Sequence, residues 1–124
     1  MESQKKHSPR FSIEFFPPKT EKGWENLRKN TVEFSKLKPA YFSVTFGAGG
    51  STQDGTFEAI KLISELGQLA TPHLSCIGST HQNIRETLNK YQSIGVKSIV
   101  ALRGDLPSGM GGVAGELHHA NELV

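Results

Sequence analysis

Four polar side chains fall at matching places along the chain: Glu14 in FSIEFFPP, Thr45 in YFSVTFGAGG, His73 in TPHLSCIG and Asp105 in VALRGDLP. Each lies within or just past a short run of β-branched or aromatic residues. Strands of a parallel sheet buried on both faces read as nearly unbroken apolar runs. Here one face of each run is polar instead, through Ser12 and Glu14, Ser43 and Thr45, His73 and Ser75, then Arg103. Side chains alternate with a period of two, so the members of each pair share a face. The pattern describes adjacent strand ends lining one polar pocket. Glu14 stands between Ile13 and Phe15, and a carboxyl group in partly apolar surroundings can hold a proton near neutrality.

The elements that must position these groups repeat. Residues 11–16 read as a first strand, ended by Pro17 and Pro18, which cannot donate to a ladder. A helix over 21–37 follows, capped by Thr20, closed by Pro39, and with Trp24, Leu27, Val32 and Phe34 as its apolar stripe. A second strand spans 41–46. The GAGGS loop then leads to Ser51 or Thr52 as cap of a helix carrying Phe57, Ile60, Ile63 and Leu66. A third strand covers 71–77. Thr80 caps a helix through Ile84, Leu88 and Tyr91, and a fourth strand covers 96–102. A glycine-rich stretch from 104 to 115 leads into an incomplete helix, GELHHANELV. Strand starts about thirty residues apart, each crossover carrying a helix, make the βα repeat of a parallel sheet.

Two folds compete for such a repeat. A doubly wound open sheet announces itself with a glycine fingerprint after its first strand, and here that strand ends in Phe-Phe-Pro-Pro. A (β/α)₈ TIM barrel takes its functional residues from the C-terminal ends of several strands. The four polar patches fit the barrel. With four strands and the start of a fourth helix, the chain reads as the first half of one.

Composition narrows the class. The chain has 124 residues, 14 Lys and Arg against 12 Asp and Glu, and a formal net charge of +2 without a basic block. Nothing in it suggests a nucleic-acid or membrane partner. Cys76 is the single cysteine, which excludes an internal disulfide and argues against a cysteine metal site. Inside an apolar strand it reads as a small buried hydrophobe rather than a nucleophile. Residues 1–10 form a polar tail without the apolar stretch of a secretory signal, and a reducing cytoplasm is the default expectation.

FSIEFFPPKT, SVTFGAGGS, TPHLSCIG and IVALRGDLPSG, in this order and spacing, resemble the 5,10-methylenetetrahydrofolate reductases from about residue 11 onward. The resemblance implies a (β/α)₈ catalytic barrel that binds FAD, with residues 11–124 as its N-terminal part. It implies oxidation of NADH or NADPH and transfer of the hydride to 5,10-methylenetetrahydrofolate, giving 5-methyltetrahydrofolate for methionine synthesis. It further implies a homo-oligomer when the protein is complete.

Residue by residue, the same resemblance makes Glu14 the catalytic acid that protonates the departing nitrogen as the methylene bridge opens to an iminium. Thr45, Phe46, Ala48 and His73 match positions lining the flavin. Arg103, Gly104 and Asp105 follow at the end of strand four, with Asp105 beside both the flavin ring and the folate, where its charge tunes each. Gly104 would let the backbone approach a ligand closely. His119 and Ala120 match a further flavin contact, although the family usually has a phenol side chain where His119 stands. Histidine can still stack and donate a hydrogen bond there.

Each residue also has a plainer reading. Glu14 could pair with an arginine for structure alone, Arg103 with Asp105 as a local ion pair, and His73 could be a satisfied core group. RGD suggests adhesion only in an exposed loop of a secreted protein. GAGGS lacks the Lys-Ser/Thr ending of a phosphate-binding P-loop. His118 and His119 are adjacent on the expected helix and point apart, so no metal is expected. At the level of function, a reductase domain competes with a non-catalytic binding or assembly module and with an inactive truncated chain.

Overall fold

The computed structural model describes residues 7–46, 53–105 and 115–124. Four strands alternate with three helices: β1 (Ile13–Phe15), α1 (Glu21–Ser35), β2 (Phe42–Val44), α2 (Gln53–Glu65), β3 (Ala70–Ser75), α3 (His81–Ser93) and β4 (Val100–Leu102). A short 3₁₀ turn, Ala120–Leu123, follows. The strands form one parallel sheet in the order β1-β2-β3-β4. This is an α/β fold with the arrangement of the first half of a (β/α)₈ barrel. Among the described residues no helix is long and apolar enough to cross a membrane.

The helix starts follow the expected capping chemistry. Thr20 Oγ1 accepts from the Gly23 backbone N–H at 3.1 Å, and Thr80 Oγ1 accepts from Asn83 N–H at 3.2 Å. Each hydroxyl satisfies one of the donors that a first helical turn leaves without a partner. The caps expected at Ser51 or Thr52 lie outside the described residues.

The apolar side of the sheet faces the helices. Phe42, Val44 and Ala70 pack with Leu27, Ala59, Ile60, Ile63 and Tyr91 in one core, while Leu74 and Cys76 join Ile84 and Leu117 in a second. Phe15 stacks on Phe42 with ring centroids 5.7 Å apart. Burying an Ile or Phe side chain is worth roughly 1.5–3 kcal/mol, so these two cores carry the fold. Cys76 is buried within the second, as its setting suggested.

Helix α1 departs from the expected stripe. Leu27 and Thr31 are its buried residues, whereas Val32 and Phe34 are 46% and 38% exposed. From Trp24 and Leu27 the helical period continues to position 31, and Val32 turns about 100° away. Thr31 is tolerated inside because its hydroxyl donates to Leu27 O at 2.7 Å.

The strands are shorter than the expected spans of 11–16, 41–46, 71–77 and 96–102. At the ends the backbone still pairs, with Ala40 N–H donating to Phe11 O and Thr45 N–H to Phe15 O. Strand β4 begins only at Val100. Its approach is tied by the Thr71 and Ser98 hydroxyls, 3.0 Å apart, rather than by a ladder. The expected terminal helix is reduced to its 3₁₀ turn because the preceding residues dock elsewhere. Glu116 N–H donates to Ser79 O, and the Glu116 carboxylate accepts from His81 N–H at 2.7 Å, at the start of α3.

Candidate functional site

The register brings the polar positions together. Glu14 lies beside Ser43, and Ser43 beside Thr71. Thr45 and His73 follow two residues later on the same face. Strands β1 and β3 are roughly 10 Å apart with β2 between them. The small side chains of β2 leave room above it, so the long side chains from either side meet. His73 Nε2 lies 3.3 Å from Glu14 Oε2. No arginine pairs with Glu14 among the described residues.

The apolar enclosure expected around Glu14 is not formed by the described residues. Its side chain is 53% exposed, against 14% for His73. Glu14 sits on the edge strand β1 and His73 on β3, between two strands. Ile13 and Phe15 turn toward the helices and leave Ser43, Thr45 and His73 as neighbours of Glu14 on the polar face. A carboxylate, an imidazole and hydroxyl groups on one accessible face can bind a polar planar ligand and exchange a proton with it.

Thr45 is held through its main chain. Its N–H donates to Phe15 O at 3.0 Å and its carbonyl accepts from Thr56 Oγ1 at 2.9 Å. Thr56, fully buried on α2, was not among the residues singled out from the sequence. A threonine one turn before the buried pair Ala59 and Ile60 was the available signal. Phe46 packs against the second core, with the helices, so its side chain turns away from the face that holds Glu14. Ala48 lies outside the described residues.

Arg103 does not continue the polar face. The partners of His73 and Ser75 on β4 are Val100 and Leu102. Alternation therefore puts apolar side chains at those positions, and Arg103 leaves the strand exposed. No ion pair joins Arg103 to Asp105 among the described residues, and Asp105 is exposed.

Gly104 has an internal explanation. Its φ of +81° is left-handed, and a β-carbon there would collide with Ser75 Oγ and stand 3.0 Å from Ile77 Cγ2. The residue must be glycine for packing alone. Ser75 Oγ donates to Arg103 O at 2.9 Å, and Ile77 N–H donates to the same carbonyl at 2.9 Å.

His119 is exposed, and Ala120 opens the 3₁₀ turn that packs beside β4. Glu122 accepts from His118 N–H at 2.8 Å, and this bond holds its carboxyl below the usual carboxylate range. Among the described residues no group of three His, Cys, Asp or Glu side chains is placed to hold a metal ion.

Comparison with known proteins places this arrangement. The model of the methylenetetrahydrofolate reductase family matches residues 1–124. The chain belongs to that family. It is 45% identical over 101 residues to the 5,10-methylenetetrahydrofolate reductase of Salmonella typhimurium, covering 81% of this chain and 34% of that protein. The Escherichia coli protein of the same name is 44% identical over 101 residues, with the same coverage. An Arabidopsis thaliana relative, methylenetetrahydrofolate reductase (NADH) 1, is 40% identical over 100 residues, 80% of this chain and 17% of its own length. The chain thus spans about a third of the length of the bacterial relatives it matches.

Proposed function

We propose that residues 11–124 are the N-terminal part of a flavin-dependent reductase domain. The reaction is reduction of 5,10-methylenetetrahydrofolate to 5-methyltetrahydrofolate, in one-carbon metabolism and methionine synthesis. The observation that carries this reading is the Glu14–His73 contact on the polar face of a family member's sheet. The NADH in the Arabidopsis relative's name supports a reduced nicotinamide as hydride source, NADH or NADPH.

The donor set fits FAD. Thr45 and His73 offer a hydroxyl and an imidazole from adjacent strands, and Arg103 and Asp105 add one charge of each sign at the next strand end. Gly104, Ala48, Phe46, His119 and Ala120 complete the proposed binding set, Phe46 through its main chain. When bound, FAD supplies a carrier that takes hydride from the nicotinamide and passes it to the folate.

The chain's own groups handle proton and charge. Glu14 gives a proton to the nitrogen that departs as the methylene bridge opens, the step at which a positioned acid contributes typically 10²–10⁴-fold. His73 Nε2, 3.3 Å from Glu14 Oε2, stands beside the carboxyl group and orients it for the proton transfer. Asp105 lends a negative charge to the cationic form of the folate.

Protonation belongs only to the folate half-reaction. In a full-length reductase carrying these residues, Glu14→Gln therefore lowers folate reduction at least about a hundredfold. Flavin reduction by the nicotinamide stays within about twofold. Stopped-flow measurement of the separate half-reactions checks this, and equal losses in both would remove Glu14 from the acid role.

A further inference from the structure

We infer that Ser75 is a positioning residue for the Arg103–Gly104–Asp105 turn, acting through its hydroxyl on the Arg103 carbonyl. The inference rests on the proposed function for the importance of Asp105, but its geometry stands apart from it.

Ser75 ends β3 two residues beyond His73, on the strand face that carries Glu14 and Thr45. A hydroxyl there could have faced a ligand. Its donor is instead spent on the protein's own main chain, 2.9 Å from Arg103 O. The side chain is buried and occupies the space where any residue but glycine at 104 would carry a β-carbon. The Ser75 side chain and the left-handed Gly104 are thus complementary: one fills what the other lacks.

The consequence falls on Asp105. Strand β4 ends at Leu102, and among the described residues Arg103 O is the last β4-side carbonyl that β3 and the residues after it hold. It receives Ser75 Oγ and Ile77 N–H, each at 2.9 Å, and the Cys76 thiol more weakly at 3.8 Å. Both of its lone pairs are then engaged, and rotation of the following peptide would break one bond or drive Gly104 into Ser75. The chain leaves the sheet in one direction, with Asp105 one residue further on. The same device secures β2, where Thr56 Oγ1 holds the carbonyl of Thr45.

Removal of a single hydroxyl should therefore loosen the turn while leaving the sheet intact. In the 124-residue chain, Ser75→Ala is expected to speed amide exchange at Ile77, whose N–H shares the Arg103 carbonyl, about tenfold, the equivalent of one hydrogen bond. Amides of the β1–β2 pairing should be unchanged. Ser75→Thr keeps a γ-hydroxyl and should restore protection. Unchanged exchange at Ile77, or an equal rise throughout the sheet, would overturn the inference.

A second measurement, in a full-length reductase carrying these residues, separates this inference from the functional reading. Ser75→Ala should slow folate reduction in the parent background and add no further loss in an Asp105→Asn background. Equal losses in both backgrounds would show that Ser75 does not act through Asp105, which would also overturn the inference. An Asp105→Asn variant that itself loses nothing would instead sink the functional reading. The exchange result would then decide Ser75 alone.

Discussion

At the scale of single residues, Tyr91 couples the interior to alkaline pH. Its ring lies in the first core, 5.7 Å from the ring of Phe57, and burial pushes its phenol from 10.0 up to about 12. Below pH 10 the phenol is protonated in both folded and unfolded chains and contributes no pH dependence. Between pH 10 and about 12 the unfolded chain releases this proton and the folded chain keeps it, so stability falls as pH rises. The expected loss from this group is on the order of 2 kcal/mol by pH 12. Tyr91→Phe should flatten that part of the profile in urea titrations at pH 9 to 12, and parallel profiles would count against it. The contrast with Glu14 is one of legibility. That a tyrosine at the end of the Ile84, Leu88, Tyr91 stripe is buried could be read from spacing alone. That Glu14 would meet His73 across β2 could be expected only as a shared face, because the meeting depends on side-chain reach as well as register.

At the scale of elements, the alternation of strands and helices was readable because each segment buries one side. Positions 60, 63, 84 and 91 recur at helical spacing, and all are buried. Two features escaped for a common reason. Val32 is as apolar as a core residue, and only the exact phase of α1 decides that Thr31 goes inside in its place. Phe34 keeps the phase and stacks on Phe15 from the rim of the core, with ring centroids 6.4 Å apart. Arg103 continues the chemical pattern of polar strand ends, but β4 runs out at Leu102 and the left-handed Gly104 redirects the chain. Composition does not encode where a ladder stops. The end of α1 offers a test of local strain. Lys38 adopts a φ of 55°, a left-handed conformation that side chains with a β-carbon disfavour, while its N–H donates to Ser35 O. Lys38→Gly relieves that conflict and should stabilise the chain by about 1 kcal/mol, after allowance for the greater freedom of glycine in the unfolded state. A higher urea midpoint with unchanged slope is the expected result. A lower midpoint would mean that Lys38 makes a compensating contact.

At the scale of the whole molecule, the polar face is laid across β1, β2 and β3 on one side of the four-stranded sheet. Small-molecule sites typically bury 70–90% of a ligand's surface, and one sheet face covers far less. The 124-residue chain should therefore bind FAD weakly, with a dissociation constant above about 1 µM, and fluorescence titration showing tight stoichiometric binding would contradict this. The strand order itself has a temporal meaning. Among the described residues, β2, β3 and β4 each pair with the strand made just before, about thirty residues earlier. During synthesis at 5–20 residues per second, a new strand would leave the ribosome every few seconds and find its template already in place. Short sequence separations of this kind favour rapid folding. The sheet can grow in the order in which it is translated, with β1 and β2 as the seed on which β3 and then β4 are laid down.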